Sequence, residues 1–182
     1  MMGSVIPGAI IVALPRNDRI RDYLVSANDT NGEGEPKPWL AVAGGGERYL
    51  QVLRQEIFPR IEAAYNTKPY RVLIGHSAGS SLGLYDLMSG TSSFNAYLMI
   101  DPPVTMQRHY LLELSQTMAD IEAPNRTLYV SYVPHDDGKH IAAVREMLGN
   151  IEARAPGDFR VAGQLFEKET HQSVQLESYV YG

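Results

Sequence analysis

The sequence predicts an α/β fold built on a mainly parallel sheet with helices on both faces. Two observations predict it. Short, continuous apolar runs recur along the chain, the pattern of strands buried on both faces. Between them lie segments with apolar residues at helical spacing, so strand and helix alternate. The 182 residues suit one domain, so 1–182 reads as a single unit with a sheet of about five strands.

Each element has its own reason. The run Ala9-Ile10-Ile11-Val12-Ala13-Leu14, bounded by Pro7-Gly8 and Pro15, reads as a first buried strand. Residues 28–38 (NDTNGEGEPKP) form a polar loop of turn formers, long enough to predict a mobile rim. From 46 to 65, apolar residues fall at Leu50, Leu53, Ile57, Ile61 and Ala64, which is helical spacing. Pro59 interrupts it and predicts a kink or two short helices. Residues 70–74 read as a second strand. Residues 78–88 read as a helix whose first positions, Ala78, Gly79, Ser80 and Ser81, are small enough for close packing on the sheet. Strands follow at 96–100, 127–133 and 159–166, separated by helices at 109–119 and 141–153. A partly helical tail runs from 172 to 181. No internal repeat or low-complexity segment appears.

Composition excludes several function classes. The net charge of −5 with no basic stripe argues against nucleic acid and anionic membrane surfaces. With no cysteine there is no disulfide, thiolate nucleophile or cysteine metal site. The apolar run at 9–14 is too short to span a bilayer. It follows no charged leader of the signal-peptide kind, so a cytoplasmic location is expected.

In parallel sheets chemistry gathers at the carboxyl ends of the strands. There stands Gly75-His76-Ser77-Ala78-Gly79, between a strand and a helix. In such an elbow the serine takes a strained backbone conformation, and Gly75 and Gly79 are expected because side chains there collide with the turn. The helix N-terminus favours a developing oxyanion. Ser77 therefore reads as a nucleophile rather than a helix cap. It needs a base. His171 follows the last strand and comes last in the chain, matching the order Ser…Asp/Glu…His. His135 is the competitor, following the preceding strand. His76 is expected to pack, and His109 and His140 to be solvated.

The acid is expected in the loop Pro134-His135-Asp136-Asp137-Gly138, as Asp136 or Asp137, either of which orients His171. Asp101, at the end of the third strand, is the alternative, and Glu169 is expected to face solvent. His135 to His140 also offers metal-ligand types. No distant carboxylate or second histidine pair is evidently matched to it, so no metal and no organic cofactor are expected.

Further segments extend the pattern. These are Asn17-Asp18-Arg19-Ile20-Arg21-Asp22, Phe58 to Tyr65, Arg71 to Gly79 (R-x-x-x-G-H-S-x-G), Phe94-Asn95-Ala96-Tyr97, and Phe166-Glu167 through His171 to Ser173. Together they resemble the esterase D/Fes-type esterases of the α/β-hydrolase superfamily, which include enterobactin esterases and antigen 85-like acyltransferases. The resemblance implies Ser77 as nucleophile, His171 as base and an oxyanion N–H from Ala78. It implies a small-molecule ester substrate and an α/β-hydrolase-type fold.

This chain departs from the family in having Gly79-Ser80 where Gly-Gly is usual, and Asp101-Pro102-Pro103 where Ser-Pro-Ser is common. Some members use a Ser–His dyad without a clear acid. The family's I-P-x-x-I-V-V segment stands here at Ile6 to Val12, so the expectation is an N-terminally truncated form lacking the leading strands. One of those strands supplies the second oxyanion N–H, whose loss costs about 10²–10³ in rate. An uncovered apolar first strand would recruit another strand, so that edge is expected to be covered, most simply by a homo-oligomer, or else by a preceding segment. A serine hydrolase of carboxylic esters is the leading reading. A silent hydrolase-fold scaffold and an acyltransferase using the same serine are the alternatives.

Overall fold

The computed structural model describes residues 18–90, 93–122, 125–135 and 138–182, together with Gly8 and Ile10. The predicted first strand at 9–14 lies outside the described residues apart from Ile10. Among the described residues the sheet has four strands, β1 (Val72–His76), β2 (Ala96–Ile100), β3 (Thr127–Tyr132) and β4 (Arg160–Leu165). They lie in chain order β1-β2-β3-β4, and every pair is parallel. The second predicted strand sits two residues later than its apolar run suggests.

The alternation of side chains along the strands sends two residue sets to two faces. On one face Tyr97, Met99, Leu128 and Val130 are buried with Leu84 and Leu87 of α4 (Ala78–Met88) and Met147 and Ile151 of α6 (Lys139–Arg154). α5 (Tyr110–Thr117) lies against α6 and adds Leu111 to that core. On the other face Ile100, with Leu98 partly buried, meets Val174 of α7 (Val174–Tyr181). Val72 and Ile74, which pair in register with Ala96 and Leu98, are about half exposed on that second face, at 53% and 52%.

Small residues bring α4 close to the sheet at Ser80 and, beyond the predicted small stretch, at Gly83. A Cβ at Gly83 would stand 2.4 Å from the Met99 sulfur. The buried Ser80 hydroxyl lies 2.7 Å from the Gly75 carbonyl and 2.8 Å from that of Ile100. It thus joins α4 to the ends of β1 and β2.

The break foreseen at Pro59 is subtler than two separate helices. α2 (Gly46–Val52) passes through a π-turn at Leu53–Ile57 into α3 (Phe58–Ala64). Proline cannot donate to the carbonyl four residues back. The ladder widens just before it, with the Phe58 N–H reaching the Leu53 carbonyl.

Residues 18–46 fasten onto the elbow. The short helix α1 (Arg19–Tyr23), which apolar spacing does not reveal, is capped by the Asp18 carboxylate accepting from the Ile20 and Arg21 N–H groups. Leu24, Leu40 and Ala78 form a second small core with Ile20, Tyr23, Ala43 and Met106 packed around it. The loop predicted as a mobile rim is tied at several points. Thr30 bridges Pro36 and Asn31 bridges Met106, and the buried Gln107 amide donates to the Ser26 and Asn28 carbonyls.

A buried polar network locks the far end of α4. Asp86 is fully buried. Its carboxylate accepts from Ser93 N (2.7 Å), Ser93 Oγ (2.6 Å) and Tyr97 Oη (2.8 Å), and Arg54 Nη1 stands 3.3 Å away. Removing one partner of a buried ion pair strands the other. Asp86→Ala is therefore expected to lower unfolding free energy by about 3–5 kcal/mol, read as a shift of the urea midpoint against wild type.

Candidate active site

Among the described residues, the candidate groups stand at the carboxyl ends of the strands. Ser77 follows β1 directly, Asp101 follows β2 directly, His135 lies three residues beyond β3, and His171 lies six residues beyond β4. Parallel pairing puts these ends on one rim of the sheet. α6 begins at the same rim, and its second residue is His140.

Ser77 has φ 56° and ψ −120°, a left-handed conformation that costs a non-glycine residue about 1–3 kcal/mol. It is held there by its own N–H, which donates to the Ile100 carbonyl at 2.9 Å, while its carbonyl accepts from Ser80 N at 2.9 Å. Gly75 is required sterically, since a Cβ there would lie 2.4 Å from the Gly79 carbonyl oxygen. Gly79 is not. Among the described residues a Cβ at Gly79 meets nothing within 4 Å, so the expected clash exists at only one of the two glycines. The 11-residue α4 begins immediately after Ser77. Its first turn leaves backbone N–H groups without helical partners, and Ala78 carries the first of them.

Asp101 is the centre of the rim. Its side chain is fully buried, and its own backbone is left-handed (φ 44°), a conformation aspartate tolerates better than most residues. Oδ2 lies 2.6 Å from His171 Nδ1 and 3.0 Å from His135 Nε2. Oδ1 lies 3.3 Å from His140 Nε2 and accepts the Val133 N–H at 3.2 Å. Burial by itself pushes this carboxyl up. The hydrogen bonds from His135, His140 and His171 overcome that and hold it well below the ordinary carboxylate value.

An ionised carboxylate only accepts hydrogen bonds. Each facing imidazole nitrogen must therefore carry a proton. For His171 this puts the proton on Nδ1 and, in the neutral ring, leaves the lone pair on Nε2. That tautomer is the one able to take a proton from a serine hydroxyl.

His76 supports the same histidine from the other side. Its Nε2 lies 2.7 Å from the His171 carbonyl oxygen, so it too is a donor. The two rings stack with centroids 4.5 Å apart. Burial pushes the His76 pKa down, favouring the neutral ring.

These positions revise several expectations. Asp136 and Asp137 lie outside the described residues. The carboxylate bonded to His171 among the described residues is Asp101, the alternative. His135 is half exposed and hydrogen-bonded to that carboxylate. His140 is buried on Asp101 rather than solvated, because the start of α6 faces the end of β2. His109 is also not a solvated side chain. Its Nδ1 is buried, and its Nε2 stands 2.7 Å from where a Cβ on Gly32 would be. His76 packs as expected, but against the candidate base.

Asp101, His135 and His140 also offer ligand atoms all within 4.8 Å of one another. The carboxylate that the sequence left unmatched to the histidine stretch is thus supplied from β2. A signal for Asp101 does exist in the sequence. It is an acid immediately after the apolar strand Ala96-Tyr97-Leu98-Met99-Ile100, at the sheet end where chemistry gathers.

Residues 3–147 match the family described as "Putative esterase", and the chain belongs to it. Its fold is similar to that of an IroE-like serine hydrolase from Shewanella oneidensis, at 24% identity and a TM-score of 0.77. That likeness covers 90% of this chain and 55% of the other. It is similar also to the siderophore hydrolase EstB from Aspergillus nidulans (18% identity, TM-score 0.67, 88% and 60% covered). A third similar fold is the BES protein from Bacillus cereus (18%, TM-score 0.70, 90% and 63%). The chain thus spans a little over half the length of these structures. No curated protein matches it. Among the described residues no helix is long and apolar enough to cross a membrane.

The lowered Asp101 pKa has a signed consequence. A carboxyl depressed in the folded state stabilises it above the unfolded-state value, ordinarily 3.8, and that contribution is lost as pH falls below it. Asp101→Asn, which has no such charge, should be less stable than wild type near neutrality. In urea melts at a series of pH values, the gap should narrow steadily below pH 3.8. A constant gap would mean that Asp101 is not the ionised hub.

Proposed function

We propose that the protein is a serine hydrolase of carboxylic esters working through an acyl-enzyme on Ser77. The observation that carries the reading is the 2.6 Å contact between His171 Nδ1 and the buried Asp101 carboxylate, on the rim where Ser77 is held in its left-handed elbow. Membership of the esterase family supports the reaction class.

In this reading His171 Nε2 takes the Ser77 hydroxyl proton as Oγ attacks the ester carbonyl carbon. The imidazolium that forms is stabilised by Asp101. The N–H of Ala78, at the positive end of α4, donates to the oxyanion. Collapse breaks the carbon–oxygen bond to the alcohol, which leaves with the proton from His171. Water then repeats the sequence on the acyl-enzyme and releases the acid. Asp101 thus takes the part expected of Asp136 or Asp137.

The name of one similar structure, a siderophore hydrolase, makes siderophore esters the first substrates to try. The tethered loop at 28–38 borders the site. Its Glu33 reaches within 3.6 Å of Lys139 at the start of α6, and residues 24 and 40 pack with Ala78. It is the segment expected to shape ester selection.

Labelling with a fluorophosphonate probe and turnover of short-chain nitrophenyl esters test the reading together. Wild type should label at Ser77, and Ser77→Ala should lose both labelling and turnover. His171→Ala should lose turnover by several orders of magnitude. Asp101→Asn should fall by about 10⁴ in kcat, as expected when the wrong histidine tautomer is favoured. Folded protein that neither labels nor turns over any ester would favour the silent scaffold. Acyl transfer to added alcohols in preference to water would favour the acyltransferase.

A further inference from the structure

Asp101 carries more than one histidine needs. A catalytic acid requires a single imidazole partner, yet this carboxylate holds three. His135 and His140 face each other edge to face with ring centroids 4.3 Å apart, and both direct Nε2 at Asp101, one at each oxygen. The three side chains come from three elements, the end of β2, the loop after β3 and the first turn of α6. They converge independently of the helical or strand spacing of any one element.

From this convergence we infer that Asp101, His135 and His140 form a binding site for a divalent transition-metal ion, and that the bound ion switches the esterase machinery off. Two imidazole nitrogens and one carboxylate oxygen are the donor set of borderline divalent ions such as zinc, cobalt and copper. Donors around such an ion, each bonded at about 2.0–2.2 Å, stand roughly 3.3 Å apart. Here His135 Nε2 lies 3.0 Å from Oδ2 and His140 Nε2 3.3 Å from Oδ1, and one ligand atom from each of the three residues lies within 4.8 Å of the other two.

Binding needs only small changes. With the ion bound, each imidazole carries its proton on Nδ1 instead of Nε2, which frees the Nε2 lone pair for the ion with no net change in protons. The half-exposed His135 ring gives a route from solvent, while Asp101 and His140 form the buried floor. Water completes the coordination shell.

The inhibitory consequence rests on the reading of Asp101 as the partner of His171. An ion on Asp101 draws the carboxylate charge away from His171 Nδ1. The imidazolium formed during attack then loses its stabilisation, while the ester can still bind. Inhibition should therefore lower kcat and leave KM nearly unchanged.

Titration with Co²⁺, followed by its visible d–d absorption, measures binding without any reference to turnover. Wild type should bind a single ion, displaceable by Zn²⁺. His135→Ala, whose ring is half exposed and whose loss spares the core, should bind at least about 10–100-fold more weakly, the loss already typical of outer-shell partners. Asp101→Asn should lose binding similarly. Nitrophenyl ester turnover by wild type should fall with the same midpoint and return on adding EDTA.

Equal Co²⁺ affinity in wild type and His135→Ala would overturn the site, as would a spectrum unchanged by the protein. An ion bound at the site that leaves kcat unaltered would overturn the switch. If wild type shows no ester turnover before any ion is added, the hydrolase reading fails, and the Co²⁺ spectra of the variants still decide whether the ion site exists.

Discussion

The rim of this sheet depends on one buried negative charge. Taking a carboxylate out of water is costly unless hydrogen bonds replace its hydration. Asp101 has four neighbours that do so, three imidazoles and the Val133 N–H. They come from the segments after β3 and β4 and from the start of α6. The ends of those elements are therefore held by a common interaction as well as by the sheet. Each histidine tautomer follows from it, because an acceptor-only group dictates where the facing protons lie.

The strain at Ser77 depends on the same region. Its N–H is bound by the carbonyl of Ile100, the residue just before Asp101. Ser80 ties the carbonyls of Gly75 and Ile100 from below. A strained elbow persists only when its surroundings over-determine it. Here β1, β2 and α4 do so through backbone and hydroxyl bonds, with Gly75 required by the 2.4 Å approach to Gly79. The strained turn at Ser77 and the charged hub are two consequences of the way β1 and β2 end side by side.

Much of this was legible in the sequence, for reasons that differ by residue. The limits of α4 and β2 were read to the residue, since apolar periodicity and flanking turn formers mark them. Local spacing and chain order single out Ser77 and His171 as candidates, and the fold puts both after the carboxyl ends of strands. The Asp101 hub was less legible, because the choice among acids depends on which strand end faces the histidine loop. That is a fact of pairing and twist, not of local pattern. His140 shows the same limit. Helical spacing places it near the start of α6 but not over the end of β2. The π-turn before Pro59 was foreseen only as a break, since proline forbids one hydrogen bond without saying how the backbone will re-route it.

The strand order has a temporal reading. Because spatial order equals chain order among the described strands, each of these can add beside its predecessor as the polypeptide emerges from the ribosome, with no later insertion between those already paired. Ser77 appears first, Asp101 second, His135 and His140 third and His171 last. A nascent chain paused before its last described strand carries Ser77 and Asp101 without the His171 ring that faces Asp101 in the finished rim. The rim is thus completed only when the last described strand has joined the sheet.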